Sequence, residues 1–323
     1  MSTYKELYGF RVEVVSSNPS NPIEGEVWYN STLGQLKGYV AGAAAWTSGG
    51  ALPTATIALA AAGDSNSAIL AWGGNQPPGS TNASFLYNGT AWTATPSLGT
   101  PAVYQSGSGT ATAAISGSGF DPPTTASEKF DGSSWANAGT MSTGRRHIDG
   151  SGPQSAAFAA GGWEPGLSNK TEEYNGSSWS NGGTLNTARY GISAGGSETA
   201  GVAMGGGTPA SPPAFNNNEE YNGSAWTNVT ALPAGRAYGI GYGPQTAAKQ
   251  VNGNSGTANV TTTFDYDGTS FTAAPATSNA RQDGAGSGND NTAGVVTGGY
   301  IPSATATTEE FGKTVETRTL TVG

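Results

Sequence analysis

Residues 174–179, Tyr-Asn-Gly-Ser-Ser-Trp, are one copy of the short pattern that decides the fold. The pattern is aromatic, Asn or Asp, Gly, Ser or Thr, any residue, aromatic, and further copies begin at Tyr87, Phe130, Tyr221 and Tyr266. Asn-Gly or Asp-Gly between strand-like segments is a strong hairpin signal, because a type I′ turn needs two residues that tolerate positive φ. Each copy therefore predicts a β-hairpin with a type I′ turn.

The aromatic residues that end these copies recur at a nearly constant interval. Counted from Trp46, the intervals are 46, 43, 44, 47 and 45 residues. A period near 45 is typical of repeats that contain about four strands each. The predicted structural repeat positions are Trp92, Trp135, Trp179, Trp226, Phe271, Gly89, Gly132, Gly176, Gly223, Gly268, Arg189, Arg236 and Arg281.

Acidic pairs also recur with the repeat, as in Glu172-Glu173, Glu219-Glu220 and Glu309-Glu310. Two facing carboxylates could cleave a glycosidic bond, but adjacent residues of a strand point to opposite faces, so neither pair member faces the other. Recurrence at the repeat period favours a structural role, in which the acidic residues pair with the repeating Arg residues between repeats. The pairs are not predicted to be catalytic.

Two small-residue segments follow each repeating Arg, and the second ends in a glycine pair such as Gly205-Gly206. With the Glu-Glu-Tyr segments, the later Trp and the Met or Leu four residues before Arg, this order resembles a kelch-type β-propeller over residues 41–320. The composition, rich in Gly and other turn residues, predicts an all-β chain. The resemblance implies a six-bladed kelch-like β-propeller at 41–323, and residues 1–40 before it are assigned to an N-terminal docking segment with a hairpin. Repeats two and five depart from it: in repeat two Ser118 separates Gly117 from Gly119, and repeat five has a lone Gly253 after Asn252. Either a strand near Trp46 or the C-terminal strand 314–322 could complete the last blade.

Composition excludes several classes of function. The chain has 323 residues, 51 Gly, no Cys, a single His, 11% charged residues and a formal net charge of -9. Without Cys there is no disulfide framework and no thiolate zinc site, and a single His cannot build a His-rich metal site. Scattered Lys and Arg in an acidic chain argue against a nucleic-acid partner. We expect no cofactor, no metal site and no membrane span, whereas calcium on surface loops stays open.

The N-terminal residues differ from the repeats. The segment Gly25–Lys37, GEVWYNSTLGQLK, reads as a hairpin around a polar turn. It resembles a recurring segment of tail-fibre and other virion proteins of tailed bacteriophages. The resemblance implies a virion protein that is made in the host cytoplasm, binds other virion proteins through residues 1–40 and displays the propeller outward. A symmetric homo-oligomer is compatible with such a position.

The predicted function is non-enzymatic recognition of the host surface at the phage tail, with polysaccharide as the target. Long inserts after the glycine pairs and the propeller mouth supply the candidate ligand contacts, which are Trp163, Pro165, Phe215, Arg145 and His147. Pro209, Pro212 and Pro213 of one insert are further candidates. Aromatic rings and Asn or Asp side chains suit sugar rings and hydroxyl groups.

Two alternatives remain open from the sequence. The chain could decorate the phage head or tail without binding a receptor. It could also be a polysaccharide-cleaving enzyme, which would need two nonrepeating carboxylates in one mouth, such as Asp149 with Asp283 or Asp290.

Overall fold

The computed structural model describes residues 12–19, 26–119, 122–208 and 214–320. These residues form strands and turns, with a short 3₁₀ helix at Gln245–Ala247 and no α-helix. The all-β prediction is therefore confirmed. The chain divides into two compact units: one holds the described residues before Trp46 and after Gly312, and the other is Trp46–Gly312. For comparison, the sequence predicts a boundary after residue 40.

The first unit is built on the segment singled out near the N-terminus. Strand β1 (Glu13–Val15) pairs in parallel with β2 (Val27–Asn30), and β2 pairs antiparallel with the start of β3 (Gln35–Ser48). Trp28 on β2 is fully buried, and its indole Nε1 donates a hydrogen bond to Asn18 Oδ1 at 3.2 Å. The N-terminal hairpin is thus anchored by its Trp.

The second unit contains five complete four-stranded antiparallel sheets, each with its strands in chain order. Sheet 1 is β4 (Ala60–Ser65), β5 (Ala68–Trp72), β8 (Ser84–Tyr87) and β9 (Trp92–Thr95), with a small hairpin, β6 (Asn75–Gln76) and β7 (Gly79–Ser80), inserted. Sheet 2 is β10 (Ser106–Thr110), β11 (Ala113–Gly117), β12 (Ala126–Phe130) and β13 (Trp135–Thr140). Sheet 3 is β14 (Asp149–Ser151), β15 (Ala157–Ala160), β16 (Thr171–Tyr174) and β17 (Trp179–Asn181).

The remaining sheets repeat this order. Sheet 4 is β18 (Ser193–Ser197), β19 (Ala200–Met204), β20 (Asn218–Tyr221) and β21 (Trp226–Asn228). Sheet 5 is β22 (Ile240–Tyr242), β23 (Ala248–Val251), β24 (Thr263–Tyr266) and β25 (Phe271–Ala274). Sheet 6 begins with β26 (Ala285–Asp290) and β27 (Ala293–Thr297), followed by a small hairpin, β28 (Tyr300–Ile301) and β29 (Ser303–Ala304), and by β30 (Thr308–Thr319).

The N-terminal strand supplies the fourth strand of sheet 6. The end of β3 lies beside the beginning of β30, and the Trp46 and Phe311 rings are 5.1 Å apart. Gly49 N donates to Thr308 O at 3.0 Å just after β3. The C-terminal strand instead begins at Thr308, so its first residues are the third strand of the same sheet. This answers the question that the sequence left open.

The first strands of the six sheets contact one another in a cycle. β4 lies against β10, and the contacts continue through β14, β18, β22 and β26 back to β4. Gly241 on β22 shows why these strands need small residues, because a Cβ there would lie 2.5 Å from the carbonyl oxygen of Ala194 on β18. Only glycine permits so close an approach of two backbones. The arrangement is consistent with a propeller-like fold.

The hairpins differ from the predicted type I′ turns. In the copy at 174–179, Tyr174 pairs with Trp179, which leaves a four-residue turn in which Gly176 alone has positive φ. The Asn175 side-chain oxygen accepts hydrogen bonds from the backbone N–H groups of Ser177 and Ser178, each at 3.0 Å. The type I′ prediction is wrong because the Asn or Asp side chain organises a longer turn.

The irregular glycine pairs keep the conformation of the regular ones. Gly205 and Gly206 have φ of 65° and 100° after β19. Ser118 and Asn252 occupy the first of these positions in sheets 2 and 5, with φ of 59° and 56°. Ser118 Oγ donates to Arg145 O at 2.8 Å, so a polar side chain can replace the first glycine when it has a local partner.

The repeat aromatics join neighbouring sheets. Trp226 Nε1 donates to Thr171 Oγ1 of the preceding sheet at 2.9 Å, and the Tyr221 hydroxyl donates to Glu173. The same bonds join the first sheet to the last, where Trp92 Nε1 donates to Thr308 Oγ1 at 3.1 Å and the Tyr87 hydroxyl donates to Glu310.

Candidate functional site

Six equivalent residues stand just before the first strands of the sheets. We call them the mouth residues, and each has left-handed backbone, with φ between 51° and 61°: Ala58, Tyr104, His147, Gly191, Tyr238 and Asp283. Their backbone groups form a chain of hydrogen bonds. Tyr238 N donates to Gly191 O at 2.8 Å, Asp283 N to Tyr238 O at 3.0 Å, and Ala58 N to Asp283 O at 2.7 Å. Left-handed non-glycine residues are uncommon, and clusters of them often mark functional sites.

Buried ion pairs hold the chain that leads into this cluster. Arg145 and Glu172 are fully buried and joined at 3.0 Å, and Glu172 also accepts a hydrogen bond from Ser142 N at 2.6 Å. The equivalent pairs are Arg189 with Glu219 and Arg281 with Glu309. Burial lowers the pKa of the Arg145 guanidinium, and Glu172 opposes that change. Arg145, a predicted ligand contact, is fully buried in the structure.

Arg236 follows the repeat with a different partner. The position of Glu172 and Glu219 is occupied in sheet 5 by Phe264, and the Arg236 guanidinium lies 5.4 Å from the centre of its ring. Its Nη2 donates to Thr262 Oγ1. A cation–π contact thus replaces the ion pair in this sheet.

The mouth side chains meet in an aromatic cluster. The ring centres of Tyr104 and His147 are 3.8 Å apart, and those of His147 and Tyr238 are 5.3 Å apart. Tyr190 lies 5.3 Å from both His147 and Tyr238, and its hydroxyl accepts a hydrogen bond from the Tyr238 hydroxyl. Trp163 extends the cluster outward, 6.1 Å from Tyr190.

His147 and Asp283 belong to sheets three positions apart in the cycle of six. Their side chains nevertheless approach to 3.9 Å, from Nδ1 to Oδ1, so they extend toward each other across the cluster. Burial and the Arg146 guanidinium lower the pKa of His147 to about 3, while burial raises the pKa of Asp283 to about 6. At neutral pH the imidazole is therefore uncharged, and the contact is not an ion pair.

A cavity of about 500 Å³ extends from the mouth residues along the first strands. Its walls are mainly Gly, Ala and Ser, and its other end is formed by the ends of the first strands and the residues that follow them, including Thr110, Gln245 and Asn289. Asp149 on β14 also lines it, and burial raises the pKa of this carboxyl to about 7. The two Asp149 oxygens accept backbone hydrogen bonds from Gly150 N at 2.9 Å and Ala194 N at 2.8 Å.

The carboxylates named for an enzymatic alternative occupy different settings. Asp149 and Asp283 line the same cavity. Asp290 lies at the end of β26 and accepts a hydrogen bond from Thr292 N at 2.7 Å. Because both Asp149 oxygens already bind backbone groups, this residue serves the contact between β14 and β18.

The inserted loops surround the mouth residues. Bridges join Trp163 to Arg146 and Tyr300 to Gln282, each next to a mouth residue. Trp163 and Phe215 are partly buried and Pro165 is exposed, whereas Pro209, Pro212 and Pro213 lie outside the described residues. The structure therefore brings Trp163 and His147 into one cluster, and places Phe215 in a loop where its carbonyl accepts from Arg236 N at 3.0 Å.

Sequence reasoning missed a group of amides beside the cluster. Asn254 Nδ2 donates to Gln282 Oε1 at 2.9 Å and to Asn259 Oδ1 at 3.1 Å, and Asn259 Nδ2 donates to Tyr300 O at 2.8 Å. It also missed Tyr104, Tyr190 and Tyr238. For Tyr238 the available signal was position, because it lies two residues after the repeating Arg236, as His147 lies two residues after Arg145.

Among the described residues, no three His, Asp or Glu side chains are grouped so that they could hold a metal ion. The described part of the chain also has no helix long and apolar enough to span a membrane. The chain matches no known protein-family model and no curated protein sequence.

Proposed function

We propose that this chain is a non-enzymatic structural protein of a tailed-bacteriophage virion, in which a six-bladed kelch-like β-propeller recognises polysaccharide on the host surface. The observation that carries the recognition role is the cluster of Tyr104, His147, Trp163 and Tyr190, together with the Asn254 amide on the loop that bridges Ala237. Aromatic faces next to amide groups suit rings that carry hydroxyl groups.

Two features support the propeller proposal. The cyclic contacts of the first strands support six blades around one axis. The buried Arg and Glu pairs, with the left-handed residue pairs after the second strands, support the kelch-like assignment.

The virion assignment rests on the segment Gly25–Lys37 and its resemblance to phage virion proteins. The segment belongs to a compact unit separate from the repeats, which suits a docking role toward other virion proteins. The proposal places the mature protein on the particle outside the cell, after synthesis in the host cytoplasm.

The virion assignment is tested by immunogold electron microscopy of purified particles with antibody against this chain. Labelling at the tail is expected. Absence of the chain from particles would overturn the assignment, and labelling at the head would favour the decoration alternative.

The recognition role is tested with the purified full-length chain. We expect the labelled chain to bind host cells and to compete with particle adsorption. If the chain neither binds host cells nor competes with adsorption, its role is to decorate the particle without binding a receptor. Release of new reducing ends from host polysaccharide would overturn the non-enzymatic assignment.

A further inference from the structure

We infer that the recognition surface is the mouth face and that its ligand is an uncharged glycan. The mouth face comprises an aromatic arm, which is Tyr104, His147, Trp163, Tyr190 and Tyr238, and an amide arm, which is Asn254, Asn259, Gln282 and Tyr300. This inference rests on the proposed host-recognition function and adds the place and the chemical class of the ligand.

The aromatic arm is a continuous set of rings that begins at the mouth and ends on an inserted loop. Successive ring centres are 3.8 Å apart from Tyr104 to His147, 5.3 Å to Tyr190 and 6.1 Å to Trp163. Two backbone hydrogen bonds between Trp163 and Arg146 hold the main chain that carries the outer ring next to His147. Rings held in this way offer an apolar contact surface at little cost in conformational entropy.

The amide arm lies on the loops of sheets 5 and 6. Its amides are ordered by bonds to one another, and the Asn259 amide is fixed by the Tyr300 carbonyl. Tyr300 is among the most exposed large hydrophobic residues, with 41% of its surface accessible. Both Asn254 N–H donors are used within the arm, and its oxygen accepts from Gly256 N at 2.7 Å. One further N–H each of Asn259 and Gln282, and the second lone pair of each amide oxygen, can exchange hydrogen bonds with ligand hydroxyls.

The charges of the mouth face favour an uncharged ligand. His147 is held neutral, and Lys170 is paired with Glu164 at 3.2 Å on the Trp163 loop. Asp283 contributes negative charge above pH 6, the Arg146 guanidinium near His147 contributes positive charge, and the whole chain has a formal net charge of -9. A polyanionic glycan would therefore be repelled during approach, whereas a neutral glycan would not.

The test uses host envelope polysaccharide separated by anion exchange into neutral and acidic fractions. Binding of each fraction to the full-length chain is measured by titration calorimetry in 50 mM and 500 mM NaCl. We expect the neutral fraction to bind with an affinity that changes less than twofold between the two salt concentrations, because no ionic contact is screened.

Trp163→Ala and Asn254→Ala test the two arms. Truncation of a central aromatic contact commonly weakens binding about tenfold or more, and we expect this for Trp163→Ala. Asn289→Ala and Thr110→Ala, at the other end of the cavity, are the matched controls and should bind like the unchanged chain. Circular dichroism and the thermal midpoint establish that each variant is folded.

Three results would overturn the inference: binding of the acidic fraction alone, weakening by the control variants instead of the mouth-face variants, or binding of whole cells without binding of the neutral fraction. The last result would leave host recognition intact. Loss of binding to cells and to both fractions would overturn the proposed function as well.

Discussion

At the residue scale, buried charge is used to fix backbone where the sheets begin. Arg189 and Glu219 are both removed from solvent, and the guanidinium also donates to Gly205 O at 2.7 Å and to Ala203 O at 3.1 Å. Desolvation of two ions offsets most of their attraction, so such a pair adds little net stability, but loss of one partner is costly.

Arg189→Met should lower the free energy of unfolding by about 3 kcal/mol, because Glu219 would remain buried without its counterion. Arg236→Met is the matched control, since Phe264 stands where the carboxylate would be, and its loss should be clearly smaller. Urea unfolding followed by tryptophan fluorescence measures both. If both variants lose the same free energy of unfolding, the unpaired Glu219 carboxylate is not the cause of the loss.

The raised pKa of Asp149 predicts a pH-dependent stability. The folded pKa of about 7 exceeds the ordinary Asp value of 3.8, so the folded state binds more protons between these pH values, and this contribution to stability falls as pH rises from about 4 to 7. Asp283, with a pKa of about 6, acts in the same direction, whereas the lowered pKa of His147 acts in the opposite direction between pH 3 and 6.5.

Because Asp283 and His147 also change the stability with pH, the contribution of Asp149 is measured as the difference between the unchanged chain and a variant without this carboxyl group. We expect the stability of the unchanged chain relative to Asp149→Asn to fall from pH 4 to pH 7 and to stay level above pH 7, as measured by urea unfolding. A difference that does not change with pH would show that Asp149 keeps an ordinary pKa.

At the element scale, the glycines of the hairpins and of the first strands serve different purposes. Gly223 has φ of 89°, and a built Cβ there would make only ordinary van der Waals contacts, with Thr199 Cα nearest at 3.5 Å. Gly241 instead faces backbone atoms of Ala194 at 2.5 and 2.6 Å. Gly223 is needed for its positive φ, whereas Gly241 is needed because no side chain fits between the two strands.

Gly223→Ala should therefore cost about 1–2 kcal/mol of unfolding free energy, the usual penalty for a left-handed non-glycine residue. Gly241→Ala should cost more, because the β18 or β22 backbone must move. Gly79→Ala is the control, since nothing lies within 4 Å of a built Cβ there, and it should be nearly neutral. Thermal unfolding of the three variants gives the ranking, and the reverse order would contradict it.

The sequence was sufficient for the elements but not for their details. The period of the Trp residues predicts the fourth strands, which begin at Trp92, Trp135, Trp179, Trp226 and Phe271. The turn type was wrong because an Asx side chain competes with backbone geometry, a choice that the dipeptide does not specify. The mouth cluster was missed in part because Tyr104, Tyr190 and Tyr238 come together only through neighbouring sheets, and no local pattern reports such proximity.

At the scale of the whole molecule, one set of contacts joins the first sheet to the last. The Tyr87 hydroxyl donates to Glu310 and accepts from Gly50 N at 3.1 Å. Tyr221 makes the equivalent contacts with Glu173 and with Gly183 N at 3.0 Å, between sheets adjacent in the chain. In both cases burial and the carboxylate raise the pKa of the hydroxyl to about 12.

If the sheets form a closed ring, Tyr87→Phe and Tyr221→Phe should have the same effect, a loss of about 1–2 kcal/mol each in unfolding free energy. Tyr174→Phe is the control, because the buried Tyr174 hydroxyl has no hydrogen-bond partner among the described residues, and its loss should be neutral or slightly stabilising. Guanidinium unfolding measures all three. If Tyr87→Phe leaves the free energy of unfolding unchanged while Tyr221→Phe lowers it, the sheets do not form a closed ring.

The chain of backbone hydrogen bonds through the mouth residues has an evolutionary consequence. Peptide groups make these bonds, and the six positions already accept side chains as different as those of Ala58, His147 and Asp283. Point substitutions there can alter what the surface selects while the supporting main chain stays as it is. Under the proposed function, exchange of a few side chains on this inherited main chain would be enough to shift the host range.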